Sequence, residues 1–553
     1  MPFGVKRVPW CSVLVLAWCG QARAVEPADV LNHHMVLQRG KAVPIWGRAE
    51  PGRKVTVQFA GQAKSTNAKQ DGTWLVRLDP LEASAEPRKL TVRTAAKTVT
   101  LHDVLVGDVW ICGGQSNMGR DVNRSWRPSD QRLSYRHIRF LPVRSRGAKY
   151  PQSRLVPPPP PTSPRQKRLT APNVWHVCTD RTTPECCAVG FFFAERVHKA
   201  TGIPQGLLWN AWAGSVVREW IPRFGWSLRP QLAQTARQVD AWYPGTKVGR
   251  EAYRKAIDEI AAWRKQAVEA VNTGHPFPFP QPMLPEPDDS RGRGRGTTIL
   301  YNGRVHPLVP YAIAGVLWYQ GESDYGNRGY VPQIEAMAES WRMLFAAPGE
   351  KPADLPFYFV QMQRCGSYMS PEIRDQQFHS YFSIPNAGMA VLLDLDMNLH
   401  PANKYDSGRR MALWALAKHY GKKVAFSGPI YRRHRTVGKK VIVEFDHTCG
   451  GLFIGTKDKL APPKPLPGGK LVNLEVTADG KTWVQARSEI AGQTLVVWAD
   501  GLARPADVRY CWKSKADEPF LYNKVGLPAA QFHTITVQPY LKGWANRTKE
   551  VRP

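Results

Sequence analysis

Cysteine is scarce in this chain, nine in 553 residues, and two of the nine, Cys11 and Cys19, fall within the first two dozen positions. The other seven, Cys112, Cys178, Cys186, Cys187, Cys365, Cys449 and Cys511, are scattered without metal-site spacing, and adjacent Cys186 and Cys187 make a poor ligand pair. The sequence thus offers no metal site, and occasional disulfides plus buried thiols are expected, with one cysteine left over from the odd count. Long apolar runs are missing too: past residue 24 nothing approaches the ~20 residues that a membrane-spanning helix needs. Acidic residues are in deficit, 45 against 76 Lys and Arg, for a net charge of +31. No nucleic-acid motif accompanies that charge. Much of it lies in loops such as "RFLPVRSRGAKYPQSRLVPPPPPTSPRQKRL" and "DDSRGRGRG", which read as solvated surface. Attraction to anionic glycans is the partner class left open.

What is present begins with "MPFGVKRVPWCSVLVLAWCGQARA". Basic Lys6 and Arg7, an apolar stretch from Val8 to Cys19 and the Ala22-Arg23-Ala24 site read as a secretory signal peptide over residues 1–24. The stretch is short for an uncleaved anchor, and Trp18 before Cys19 argues against lipid modification. The mature chain is therefore expected to be soluble and either secreted or periplasmic. Hydrophobic residues at 43% and charged residues at 22% are ordinary for a globular protein, while 47 prolines and 45 glycines imply many turns and long loops. The length predicts several domains of roughly 100–200 residues each.

Short alternating segments open the mature chain: "KVTVQFAG", "DGTWLVRL", "KLTVRT" and "TVTL" predict antiparallel strands. The signature returns in "KKVIVEFDH", "LVNLEVTADGKTW", "TLVVWADG" and "DVRYCW". The middle differs, with buried-type strands alternating with helical patterns. Tyr253, Ile257, Ile260, Trp263, Ala267 and Val271 follow helical spacing with Gly274 just beyond, and "VGFFFAERVHKATG" and "RRMALWALAKHYG" predict two more helices stopped by glycine. This alternation predicts an α/β core with a mainly parallel sheet, flanked by β-sandwich-like regions. The expected division is a β-rich domain at 25–103, a catalytic domain at 104–430 with Pro- and Arg-rich insertions, and a second β-rich domain at 431–553.

Four apolar runs in the middle each end in residues suited to catalysis. "DVWIC" leads to Gln115, Ser116 and Asn117; "GLLWNAW" to Gly214 and Ser215; "IAGVLWY" to Gln320, Glu322 and Asp324; "MAVLL" to Asp394 and Asp396, with His400 just after. Ligands of open α/β sheets bind beyond the carboxyl ends of strands, so the four are expected to meet in one crevice. Ser116, on a glycine-preceded turn, is a candidate nucleophile, although Met118 stands where a G-x-S-x-G elbow has its last glycine. A serine needs a base, and His400 is the candidate, with His306 as runner-up. Gly214 and Gln320 are candidate oxyanion donors.

The chain resembles the sialate O-acetylesterase family of the SGNH-hydrolase superfamily. The resemblance is carried by "HMVLQRGKAVPIWGRAEPGRKVTVQFAG", "DVLVGDVWICGGQSNM", "LYNGRVHPLVPYAIAGVLWYQGESD", "HPANKYDSGRRMALWAL" and "VRYCWKSKADEPFLYNKVGLPAAQFHT". It implies an SGNH (flavodoxin-like) three-layer core and an exported carbohydrate esterase that removes O-acetyl groups without cofactor or metal. It further implies Ser116 as nucleophile, His400 as base, Gly214 as backbone oxyanion donor and Gln320 as side-chain donor. The block W-G-G-T here reads Trp212-Ala213-Gly214-Ser215, and Asp324 stands where many relatives have asparagine. Relatives carry an aspartate two or three residues before the histidine, where this chain has Asn398 and Met397. Asp396 is the nearest upstream carboxylate, with Asp394 behind it. Either Asp396 orients His400, or a Ser-His pair works with a carbonyl as orienter. Acetylated xylan or pectin is an alternative substrate, and a degenerate carbohydrate-binding protein an alternative function.

Overall fold

The computed structural model describes residues 25–156, 170–278, 280–287, 296–366 and 370–549. The expected signal segment, the proline run at 157–161 and most of the "DDSRGRGRG" loop lie outside the described residues.

Apolar strands without alternation suit a sheet buried on both faces, and such strands build the centre of this molecule. In space the strands run His176–Cys178, Tyr135–Pro142, Gln205–Ala211, Thr98–Gly114, Gly315–Tyr319, Phe357–Gln361, Ala387–Val391. All neighbours are parallel except the first pair. Val109, Trp110, Ile111 and Cys112 of the central strand are wholly buried, and each large apolar side chain so buried contributes about 1.5–3 kcal/mol. The strands on either side of this one come later in the chain, Gln205–Ala211 on one side and Gly315–Tyr319 on the other. The chain leaves this strand for Tyr135–Pro142 on one side, and leaves its neighbour Gln205–Ala211 for Gly315–Tyr319 on the other, the reversal that opens a crevice in an α/β sheet. Gly113 and Gly114 sit there. A Cβ on Gly114 would lie 2.1 Å from the Tyr319 carbonyl oxygen, and the residue adopts φ 137°, so only glycine fits this bend.

The Thr98–Gly114 strand is long because it serves two regions. Its first half pairs with Ser84–Arg93 and Val36–Gln38, its second half with the parallel strands. It thus runs through positions 103 and 104. The antiparallel strands expected on either flank are present, including Lys54–Phe59, Thr73–Leu78, Lys440–Asp446, Leu474–Thr477, Thr494–Trp498 and Asp507–Tyr510.

The helices Ala188–Thr201 and Lys247–Thr273 end at Gly202 and Gly274, both left-handed, as the sequence predicts. The third, Lys404–Lys418, ends at His419 before reaching Gly421 and begins at an Asn403 cap. The periodicity of the long helix is met in part: Ala267 is buried and Tyr253, Ile260 and Trp263 are half-buried, while Ile257 and Val271 are exposed and Ala256 and Ala270 are buried outside the pattern. Periodic spacing marks a face, but the partner decides which face is covered.

The expectation of occasional disulfides is corrected. All seven cysteines are unpaired, and six are buried. A Cβ on Gly190 would meet Cys112 Sγ at 2.8 Å and Cys187 Sγ at 3.4 Å, so these thiols fill core space. Burial pushes the Cys112 and Cys186 thiols well up, which keeps them protonated. Among the described residues no helix is long and apolar enough to cross a membrane.

Candidate active site

Ser116 opens a four-residue helix at the carboxyl end of the central strand. As the first helical residue its N–H has no intrahelical acceptor and is left to a partner outside the helix. The His400 Nε2 lies 2.8 Å from Ser116 Oγ, although 284 residues separate them in sequence. The geometry is that of a hydroxyl whose proton a neutral imidazole can accept. The His400 ring is partly buried, and its pKa is lowered by that burial first, then by the charges of Arg120 and Lys404.

The other strand ends come to the same place. Trp212 N–H donates to the Gly114 carbonyl at 3.0 Å and Ser215 N–H to Trp212 at 3.2 Å, which curls the Gly214 turn beside the serine. Gly214 adopts φ 71°, a left-handed conformation that suits glycine. Gln320 Nε2 donates to Asp324 Oδ2 at 2.6 Å, Ser215 O at 3.2 Å and Gln115 Oε1 at 3.3 Å. This differs from the expected aim of Gln320 at an oxyanion. The amide has two N–H bonds for three protein acceptors, and its Oε1 is buried without a partner. A flipped amide would set an oxygen against the Asp324 carboxylate, so the donor side stays turned inward. Asp324 also accepts from Val217 N–H at 2.8 Å; it joins the Gly214 turn to the "QGESD" segment.

Neither upstream carboxylate meets the His400 ring. Asp394 forms a buried two-pronged pair with Arg410, at 2.6 and 2.8 Å, which ties the last strand to the helix behind it. Asp396 accepts from the backbone N–H groups of Ala402 at 3.0 Å and Asn403 at 3.4 Å. Among the described residues no hydrogen bond or ion pair joins Asp396 to His400. Asn398, two residues before His400, accepts from His400 N–H at 3.0 Å and so braces the backbone of the loop. His306 is elsewhere: it bonds the Gln152 carbonyl and lines a separate cavity with Trp46 and Arg154.

Three side chains within the quoted motifs carry no role in the sequence reading yet lie directly under the pair. Asn117 donates to the Leu399 carbonyl at 2.9 Å and to Glu322 Oε1, and accepts from Lys404 Nζ at 2.6 Å. Their presence in "GQSNM", "QGESD" and "HPANK" was the only available signal. Beside the Ser116 helix a cavity of about 320 Å³ is lined by Gly119, Trp209, Trp212, Ala213, Arg144 and Arg304. The described residues contain no cluster of His, Cys, Asp and Glu that would hold a metal ion.

No family model matches the chain. The sialate O-acetylesterase of Mus musculus is 29% identical over 440 residues, covering 73% of this chain and 76% of that relative. That of Homo sapiens is 27% identical over 546 residues, covering 91% of each. Among solved structures, a carbohydrate acetylesterase from Xanthomonas citri superposes with a TM-score of 0.70 at 26% identity, covering 92% of this chain and 99% of that one. An α/β fold shared with a carbohydrate acetylesterase, together with these relatives, makes the chain a carboxylic ester hydrolase. The similarity runs through both flanking β-rich regions as well as the centre. The chain is thus similar to the sialate O-acetylesterases over most of its length, at 26–29% identity.

Proposed function

We propose that the protein is an exported serine carbohydrate esterase that hydrolyses O-acetyl esters on sugars through an acetyl-enzyme, on an SGNH-type three-layer core. The observation that carries the reading is the 2.8 Å contact between Ser116 Oγ and His400 Nε2. His400 takes the hydroxyl proton as Ser116 attacks the acetyl carbonyl, then returns it to the departing sugar oxygen; water repeats the cycle and releases acetate. The N–H groups of Ser116 and Gly214 stabilise the oxyanion. Gln320, expected as a third donor, reaches the oxyanion only by releasing one of its protein acceptors. The sugar lies against Trp212 in the adjoining cavity. The division into 25–103, 104–430 and 431–553 belongs to the same proposal, with the Thr98–Gly114 strand shared by the first two regions. Acetate release from a panel of O-acetylated sialic acid, xylan and pectin tests the reading and separates the substrates. Glycan binding without acetate release from any of them would favour the carbohydrate-binding alternative.

Asp396 acts in this account by closing the loop that carries His400. Asp396→Asn keeps an acceptor for the Ala402 N–H, so kcat/KM is expected to fall by less than about tenfold, whereas loss of a true triad acid costs up to about 10⁴. Steady-state kinetics on an aryl acetate distinguish the two.

The pH profile has a definite sign. The base must be neutral, and the His400 pKa is lowered from its ordinary 6.5. The neutral form therefore persists to lower pH, and the acid limb of kcat/KM is expected to have its midpoint below 6.5. A midpoint above that value would show the imidazolium to be stabilised, contrary to the charges around it.

A further inference from the structure

We propose that Asn117, Lys404 and Glu322 form a buried clamp of positioning residues that holds the His400 loop on Ser116, where no carboxylate among the described residues bonds the imidazole. The inference rests on the Ser116–His400 reading above.

Asn117 directly follows the serine, and Leu399 directly precedes the histidine. The bond from Asn117 Nδ2 to Leu399 O, 2.9 Å, therefore joins the two reacting segments one residue away from each reacting atom. The amide can adopt only one orientation. Its oxygen accepts from Lys404 Nζ at 2.6 Å, while its nitrogen donates to the Glu322 carboxylate as well as to Leu399. Rotating it by half a turn would oppose an oxygen to the Leu399 carbonyl and the carboxylate, and an NH₂ to the Lys404 amine. A second strut comes from Gln363, whose Nε2 donates to Leu399 O at 3.2 Å while its Oε1 accepts from Tyr319 OH at 2.6 Å. Lys404 is the first residue of the helix that follows the histidine loop, and its Nζ sits 5.1 Å from the Tyr319 ring centre.

Burial makes this arrangement expensive. Asn117 and Lys404 are wholly buried and Glu322 is 7% exposed, with Glu322 Oε2 lacking a hydrogen-bond partner. A packed apolar trio would serve stability as well or better. A polar trio that fixes one amide makes sense where the angle of that amide sets the geometry of a reaction. The charges facing His400 are Arg120 and Lys404; Asp396 and Glu322 face Lys404 from the loop and the neighbouring strand end.

The test uses the full chain with four changes, read by kcat, KM, the pH profile on an aryl acetate and thermal unfolding. Asn117→Leu is expected to lower kcat roughly 10²-fold, the cost of misplacing a reacting group by about 1 Å, with KM within about threefold. Glu322→Gln keeps an acceptor for Asn117 and is expected to stay within about threefold of the parent in kcat. The double change Lys404→Met with Glu322→Leu removes both charges together, so no lone charge is left buried. It is expected to fold, lose kcat like Asn117→Leu, and move the acid limb to higher pH because one of the two charges that disfavour the imidazolium is gone. Folded Asn117→Leu or double variants with parental kcat would overturn the clamp. So would a lost kcat in the double variant with an unmoved acid limb, or a hundredfold loss in Glu322→Gln, which is measurable even where the others do not fold. Ser116→Ala run alongside separates the two readings: if it keeps full activity, the nucleophile assignment fails; if it is inactive while Asn117→Leu is not, the clamp alone fails.

Discussion

Ser116→Ala is expected to lower kcat by about 10⁶-fold, as when the nucleophile of a serine hydrolase is removed, while leaving the fold intact. Among the described residues the hydroxyl makes one side-chain bond, to a partly buried histidine. Everything that shapes its turn lies in neighbouring atoms: the Gly114 bend, the wholly buried Asn117 and Met118, and the Gln115 N–H bonded to Tyr319 O at 3.1 Å. Thermal unfolding of the variant should match the parent, and binding of an acetylated glycan should survive, since neither the Trp212 cavity nor the Gly214 turn is touched. Acetate release that persists at the parental rate would mean that another group or an activated water does the chemistry.

The second large effect concerns His400. His400→Gln removes the proposed base and is expected to cost a loss of the same order, about 10⁶-fold in kcat. The more informative result comes from the double variant. A hydroxyl and the base that activates it act as one unit, so Ser116→Ala with His400→Gln should retain activity within about threefold of Ser116→Ala alone. The residual reflects donors and binding that neither change removes. Losses that multiply would instead indicate two independent contributions, such as His400 contacting the sugar while a different base serves Ser116. Because no carboxylate among the described residues bonds the ring, the His400 position should also depend on the loop more than it does in enzymes with a buried triad acid.

The residues that meet at the site were legible wherever a buried strand stops abruptly in small or polar residues. "DVWICGGQS" shows this best: a short apolar run with no polar break suits a strand buried on both faces, and the glycines after it suit a turn. The same logic located Gly214, Gln320 and His400 at strand ends, because strand ends of one parallel sheet share an edge. The flanking β regions were legible from their alternation.

What local pattern could not supply is the pairing of groups far apart in sequence. Asn117 and Glu322 are 205 residues apart, Asn117 and Lys404 287. A lysine near the start of a helix reads as surface, yet Lys404 is wholly buried. The two inward turns of Gln320 and Asp396 were hidden for a related reason. Each side chain has chemistry suited to the reaction, but nearer acceptors and donors, Asp324 for the one and the Ala402 and Asn403 N–H groups for the other, claim it. Residue type states what a group can do; its neighbours decide which of those capacities is already used.

The most direct test is to mix enzyme with an excess of aryl acetate, quench in acid within the first turnovers and locate the acetyl group by peptide mass spectrometry. The account predicts an acetyl ester on Ser116 in the parent, absent from Ser116→Ala, and accumulating when the second step is slowed. Turnover with no acetylated peptide under any quench, or the acetyl group found on another residue, would contradict it.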